Sequence, residues 1–242
     1  MFFGSQFFHL DKVDSTNNFA ANLIEKGLCQ NGAVILADEQ TLGRGQRDSL
    51  WESELNKNIL CSFVHFPDNV SVDKLEAYNY CLSIALVNCL KLFQIDAAIK
   101  WPNDILVNNK KIAGVLIENS LSVGKIKSMI FGVGLNVNQL NFNYPNATSM
   151  AVIASKVFDL SEVSSCLTQQ FNHWISFVGN KTPLLKQQYT SNLFGLQKVL
   201  RFKILLHELD GVIVGVNENG ELEVNIEGNV RSFKNKEISF LL

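Results

Sequence analysis

Apolar and polar positions follow two rhythms along the chain, and the switches between them divide it into predicted elements. Residues 6–13 alternate weakly as an opening strand. Asp14-Ser15-Thr16-Asn17 is a helix N-cap cluster, and Phe19, Leu23 and Ile24 mark an amphipathic helix running to Gly27. The β-branched, apolar runs Gly32 to Asp38 and 58–66 predict buried strands. Between them residues 39–57 are polar, contain Gly43 and Gly45, and are too long for a turn, which predicts a functional loop. Leu75, Tyr78, Leu82, Leu86, Val87 and Leu90 recur near helical spacing and predict a long helix over 71–94. Sheet rhythm returns at Ala98 to Trp101, Ile105 to Val107, an Asn108-Asn109 turn suited to positive φ, Lys111 to Glu118, and 126–137. Residues 148–194 are helical, with Phe171, Trp174, Ile175 and Val178 on one face, and Leu184, Leu185 and Tyr189 in another helix. Beyond Gly195 come short strands at 198–206, 211–217, 221–227, 230–233 and 238–242, with an Asn219-Gly220 hairpin.

This order predicts an α+β fold in two parts. Residues 1–194 form a mixed β-sheet with helices packed on it, and 195–242 a small β-barrel-like module. The second part is too short to bury much core alone and is expected to dock on the first.

Composition narrows the function. The 242 residues are 47% hydrophobic and carry 21 basic against 23 acidic side chains, a net charge of −2, which excludes a disordered chain and a nucleic-acid-coating protein. No apolar stretch reaches membrane-spanning length, and the N-terminus lacks a basic region and long apolar stretch, so a soluble cytoplasmic protein is expected. The five cysteines form no C-x-x-C pair and sit in apolar surroundings as reduced core thiols, and the four histidines have no metal-ligand spacing. Basic charge is almost all lysine; two of only four arginines, Arg44 and Arg47, fall in the glycine-containing loop.

Three segments could carry chemistry. In the loop, Gly43 and Gly45 flank Arg44; they allow positive φ and close approach to a ligand, while the guanidinium forks onto carboxylate or phosphate. A solvated loop with incidental arginines is the other reading. Lys100-Trp101-Pro102-Asn103-Asp104, followed by Lys111 and the small pair Ala113-Gly114, places an amide and a carboxylate at a sheet edge; Asp104 could hold Mg²⁺ and Asn103 could bond phosphate or ribose. An ordinary Asn-rich hairpin accounts for that segment equally. Gly132 and Gly134, with Asn136, interrupt an apolar strand, which fits either close approach of a ligand or backbone, or a β-bulge.

Taken in order, Asp14-Ser15-Thr16-Asn17, Gln40, Gly43-Arg44-Gly45, Trp51, the run 100–104, Lys111-Ile112-Ala113-Gly114 and Gly132 to Asn136 resemble the biotin protein ligases over roughly 5–140. The stretch 196–242 resembles that family's C-terminal SH3-like domain. The resemblance implies a catalytic domain like class II aminoacyl-tRNA synthetases, activation of biotin by ATP to biotinyl-5′-AMP with release of pyrophosphate, and transfer of biotin to a lysine on a biotin carboxyl carrier domain of a carboxylase. Ser15, Thr16, Asn17, Gln40, Gly43, Arg44, Gly45, Lys111, Gly114 and Gly132 match positions around biotin, with hydroxyls and amides suited to a buried urea. Arg47, Trp51, Asn103, Asp104, Lys111 and Asn136 match nucleotide positions, with Asp104 also matched to Mg²⁺, and Lys111 and Arg44 are expected to stabilise the charge that develops in transfer. Members are often dimers through a sheet edge, which extends the expectation of a homodimer here. A lipoate or octanoate ligase shares the general fold, and a binding protein that holds biotin or adenylate without turnover is a third reading.

Two departures stand out. Gln46 replaces an arginine frequent in the family's loop and Asp48 a usual glycine; Asp48 is expected to point to solvent and Arg47 to supply the remaining charge. The catalytic pattern begins almost at Met1, which predicts a ligase without the DNA-binding domain some relatives carry, and hence a non-regulatory one with no nucleic-acid partner.

Overall fold

In the computed structural model, which describes residues 2–46 and 49–241, the alternating segments assemble into a seven-stranded sheet. Its strands are β1 (Gln6–Leu10), β2 (Ala33–Ala37), β3 (Ile59–His65), β4 (Ala98–Lys100), β5 (Asp104–Val107), β6 (Lys110–Ser122) and β7 (Lys125–Leu135), in spatial order β1-β2-β3-β7-β6-β5-β4. Only β1 and β2 run parallel; every other neighbouring pair is antiparallel, so the sheet is mixed. Asn108 and Asn109 both take positive φ (50° and 63°) in the β5–β6 turn, as their short polar side chains allow. The β6–β7 hairpin runs past the predicted end at Glu118 and turns at Val123-Gly124.

Period-two alternation gives the two faces of the sheet different work. Phe131, Val133 and Leu135 of β7, with Cys61 and Phe63 of β3, turn to one face, where α2 (Leu75–Leu92) and α4 (Leu160–Ile175) cover them. Phe171 is the keystone there, stacked on Phe3 and edge-on to Phe63 and Phe131. The opposite face carries Ser62 of β3, Gly114 and Leu116 of β6, and Gly132 and Gly134 of β7, and is covered only in part, by α1 (Thr16–Glu25) through a small cluster of Ala20, Leu23, Ile35, Val64 and Ile130. The uncovered remainder is the site. Cys61, Cys81 and Cys89 are buried and all five cysteines are free; burial raises the thiol pKa of all three buried ones, as expected of inert core groups.

Helices α3 (Met150–Ala154) and α5 (Thr182–Ser191) complete the predicted helical stretch. The chain then forms a five-stranded antiparallel sheet from β8 (Val199–Ile204), β9 (His207–Val216), β10 (Leu222–Ile226), β11 (Asn229–Phe233) and β12 (Ser239–Phe240), in order β11-β10-β9-β8-β12. It does dock: Trp101 Nε1 donates to the Gly220 carbonyl at 2.9 Å, and a Cβ on Gly220 would lie 2.6 Å from Glu76 Cγ. Of Asn219 and Gly220 only the glycine has positive φ, because the connection is the three-residue loop 218–220 closed by Asn217 and Glu221. No helix among the described residues is long and apolar enough to cross a membrane.

Candidate active site

Two rows of residues cross the open face of the sheet and set its chemistry. The first runs Ser62, Gly132, Leu116 through the β3–β7–β6 register, and the second Leu60, Gly134, Gly114. Over the first row sits the start of α1. Ser15 has the extended backbone of an N-cap (φ −155°, ψ 136°) but makes no side-chain cap, and instead lines the cavity; Asp14 is engaged by Asn18 at 2.6 Å, a bond that lowers the Asp14 pKa. Asn17 descends onto Gly132, where a Cβ would lie 2.5 Å from Asn17 Oδ1. The strand glycine therefore makes room for an asparagine of the protein itself.

A network surrounds this point. Gln40 Oε1 accepts from Thr16 N at 2.7 Å and from Thr16 Oγ1 at 3.0 Å, and Ser62 Oγ lies 2.7 Å from Thr16 Oγ1 and 2.6 Å from Asn17 Oδ1. Two hydroxyl protons are thus set among four oxygens, two of them amide carbonyls, so the cluster has acceptor capacity left for N–H donors of a ligand. Asn17 Nδ2 donates to Glu118 Oε2 at 2.7 Å, and Arg44 Nη2 reaches Glu118 Oε1 and Oε2 at 3.0 and 3.1 Å. Ser62 and Glu118 were not singled out in the sequence as site residues; the only signal was that each falls on the open face by alternation.

Trp51 lies over the second row. Cβ atoms added to Gly134 and Gly114 would stand 2.3 and 3.2 Å from its ring, and one on Gly43 2.7 Å from its carbonyl oxygen. Gly43 and Gly45 do not take the positive φ that the loop reading expects; both are required for space, Gly45 because a Cβ would fall 2.3 Å from Ser49 Oγ. The indole divides two adjoining cavities, of about 320 and 770 Å³, whose linings share Ser49, Trp51, Lys100, Asp104, Lys111 and Phe240. Ser15, Thr16, Asn17, Gln40, Arg44, Gly45, Asn103, Gly114 and Gly132 line the smaller, and Asn136 the larger. Arg47 and Asp48 lie outside the described residues. On the shared wall Lys111 Nζ is 2.6 Å from Asp104 Oδ1 and 5.5 Å from the Trp51 ring, and Lys100 Nζ is 3.9 Å from Asp104 Oδ2.

Some predicted contacts are already engaged within the protein. Asn103 Nδ2 donates to the Val115 carbonyl at 2.5 Å and its own carbonyl accepts from Val115 N, so its amide locks the hairpin. Asp104 is neutralised by two lysines, and no group of three or more His, Cys, Asp or Glu suited to a metal occurs among the described residues. By contrast Asn136 Nδ2 donates to the Thr148 carbonyl at 3.0 Å while its buried Oδ1 lacks a partner among the described residues, as does buried Trp51 Nε1. The small C-terminal sheet supplies a further wall that the sequence did not announce. Asn235, Lys236, Ile238, Ser239 and Phe240 line the smaller cavity, and Asn235 Nδ2 donates to Gln46 Oε1 of the glycine loop at 3.0 Å.

The profile of the biotin/lipoate A/B protein ligase family matches residues 10–136, more than half of the chain and the whole span of the two rows. The chain belongs to this family. It is 26% identical to the bifunctional ligase/repressor BirA of Bacillus subtilis, over 97% of this chain and 74% of that protein, and 25% identical to the biotin–[acetyl-CoA-carboxylase] ligase of Mycobacterium tuberculosis, over 93% and 86%. Among solved structures, the biotin protein ligase from Aquifex aeolicus in complex with biotin and ATP superposes with a TM-score of 0.79 at 25% identity, covering 98% of this chain and 99% of that one. In this family member the paired cavities meet at Trp51, Asp104 and Lys111.

Proposed function

We infer that the chain is a biotin protein ligase that uses ATP to form biotinyl-5′-AMP and then biotinylates a lysine of a biotin carboxyl carrier domain. The observation that carries this reading is the pair of cavities joined at Lys111 and Trp51, one floored by hydroxyls and amides with spare acceptor capacity, the other lined by Asn136, whose buried Oδ1 has no partner among the described residues. A urea has two N–H donors for the first, and adenine an exocyclic amino group for the second. The polar floor of Ser15, Thr16, Asn17, Gln40 and Ser62 has no counterpart in the needs of an octanoyl or lipoyl chain, which disfavours those substrates.

In the first half-reaction a biotin carboxylate oxygen attacks the α-phosphorus, the α–β P–O bond breaks and pyrophosphate leaves. Both reactants are anions; of the cations that line the smaller cavity, Lys111, by exchanging Asp104, and Arg44, through the Nε and Nη1 that Glu118 leaves free, neutralise the carboxylate and α-phosphate and stabilise charge building on the transferred group. In the second, the carrier amine attacks the acyl carbon, the C–O bond breaks with its electron pair leaving on the AMP phosphate oxygen, and the amine's proton passes to solvent. Trp51 covers the reacting ends from water. Asp104, held by Lys111 and Lys100, would meet a Mg²⁺ carried by the ATP phosphates only by exchanging those partners, and the ion would there offset phosphate charge.

Several finer features belong to the same reading. We propose a division near 194/195, an SH3-like fold for the five-stranded C-terminal sheet, and a cytoplasmic homodimer that modifies a carboxylase. The deciding experiment is pyrophosphate release from ATP with biotin, lipoate or octanoate, followed by biotin incorporation into a purified carrier domain. Release with biotin alone is the expected result; release with only lipoate or octanoate, or none at all, refutes it.

A further inference from the structure

Glu118 stands just beyond the cavity wall and touches both halves of the biotin side of the site. We propose that it is a positioning residue that orients Asn17 toward the ring end and Arg44 toward the carboxylate end of the ligand, an inference that rests on the ligase reading above. An ionised carboxylate only accepts, so Asn17 must turn its NH₂ to Glu118 Oε2, 2.7 Å away. That choice fixes Asn17 Oδ1 toward Ser62 Oγ, 2.6 Å away, and so fixes which end of the amide is an acceptor within the cluster. The same carboxylate takes Arg44 Nη2 on both oxygens, leaving Nε and Nη1 for the cavity that Arg44 lines.

Local structure supports the assignment. Glu118 faces Ile130 in the β6–β7 register, two residues from the Leu116–Gly132 pair on the same face, so the strand delivers its side chain beside Asn17. Asn17 is 3% exposed, cannot turn to water for a substitute, and among the described residues has only the Leu116 carbonyl, at 3.4 Å, as a second acceptor. Arg44 is a long side chain on an irregular loop, where a charged partner is what limits its rotamers.

The test is E118Q, whose terminal amide has the same shape but can present either NH₂ or oxygen to Asn17 and carries no charge for Arg44. Expected are a KM for biotin raised roughly tenfold through Asn17 and a saturated rate of pyrophosphate release lowered roughly tenfold through Arg44. Adding E118Q to Asn17→Ala should leave the biotin KM within about twofold of the single variant, and adding it to Arg44→Ala should leave kcat within about twofold, because the path through each residue is already removed. A rate lowered only in proportion to folded protein, with KM unchanged, assigns Glu118 a merely structural role and overturns the proposal. Additive losses in both double variants overturn it as well. A wild-type enzyme that turns over beside an unaltered E118Q overturns this inference alone, whereas a wild type that releases no pyrophosphate with biotin overturns the ligase reading and this inference with it.

Discussion

Replacing Gly134 by alanine is the sharpest single perturbation of the wall between the two cavities. The backbone of Gly134 is outside the left-handed region, so alanine meets no conformational penalty there. A methyl at that point would instead lie 2.3, 2.6 and 2.7 Å from three atoms of the Trp51 ring, where ordinary contact begins near 3.4 Å. Relief requires the indole to move by about 1 Å or more, and it is hemmed in by Gly114 below and Lys111 alongside. Overpacking of this kind costs about 1–3 kcal/mol, or roughly 5- to 150-fold in any property that needs the native ring position. The expected result is a KM for ATP raised at least about tenfold with a smaller change in biotin affinity, and a tryptophan emission shift traceable to Trp51 by its loss in the Trp51→Ala background. Combined with Trp51→Ala, Gly134→Ala should add less than about 0.5 kcal/mol, since the clash has lost its partner. Unchanged emission and unchanged ATP KM in the single variant, or additive losses in the double, would refute the packing account.

Lys111→Ala and Arg44→Ala should each lower the rate of pyrophosphate release at least about 100-fold, because each removes a cation from the meeting point of two anions; melting temperatures within a few degrees of wild type would confine the loss to chemistry. Burial holds the His65 imidazole pKa down to about 4 from its ordinary 6.5. The unfolded chain therefore binds more protons between those values, and stability falls as pH drops through that window, by up to roughly 2 kcal/mol once the ring's partial exposure is discounted. His65→Gln should flatten denaturant midpoints between pH 6.5 and 4 relative to wild type, and an equal acid loss in both proteins would refute it. Asn235→Ala removes the side-chain bond to Gln46; a several-fold rise in biotin KM with about 1 kcal/mol or less of lost stability is expected, and an unaltered KM would show that the segment between β11 and β12 leaves the glycine loop's function untouched.

Periodicity and turn chemistry determined most of this protein's elements before any contact was known. The alternation of β6 and β7, the paired asparagines of their neighbouring turn and the apolar run of α2 are local properties, and each element formed in its predicted place, with β6 running on to Ser122 and α2 confined to Leu75–Leu92. The family resemblance of its motifs likewise pointed to Ser15, Thr16, Asn17, Gln40, Arg44, Trp51 and Lys111, and these line one cavity. What the glycines were for was decided only in three dimensions. Gly43, Gly45, Gly114, Gly132 and Gly134 all yield space to this chain's own side chains, and no sequence pattern says whether a missing Cβ serves a ligand, a turn or a neighbour 80 residues away. Asn103 and Asp104 line the smaller cavity, but their bonds to Val115 and Lys111 could be read only from the register across strands. Glu118, Ser62 and the C-terminal wall at 235–240 joined the site through pairing and docking between segments far apart in the chain, and such contacts depend on the tertiary structure alone.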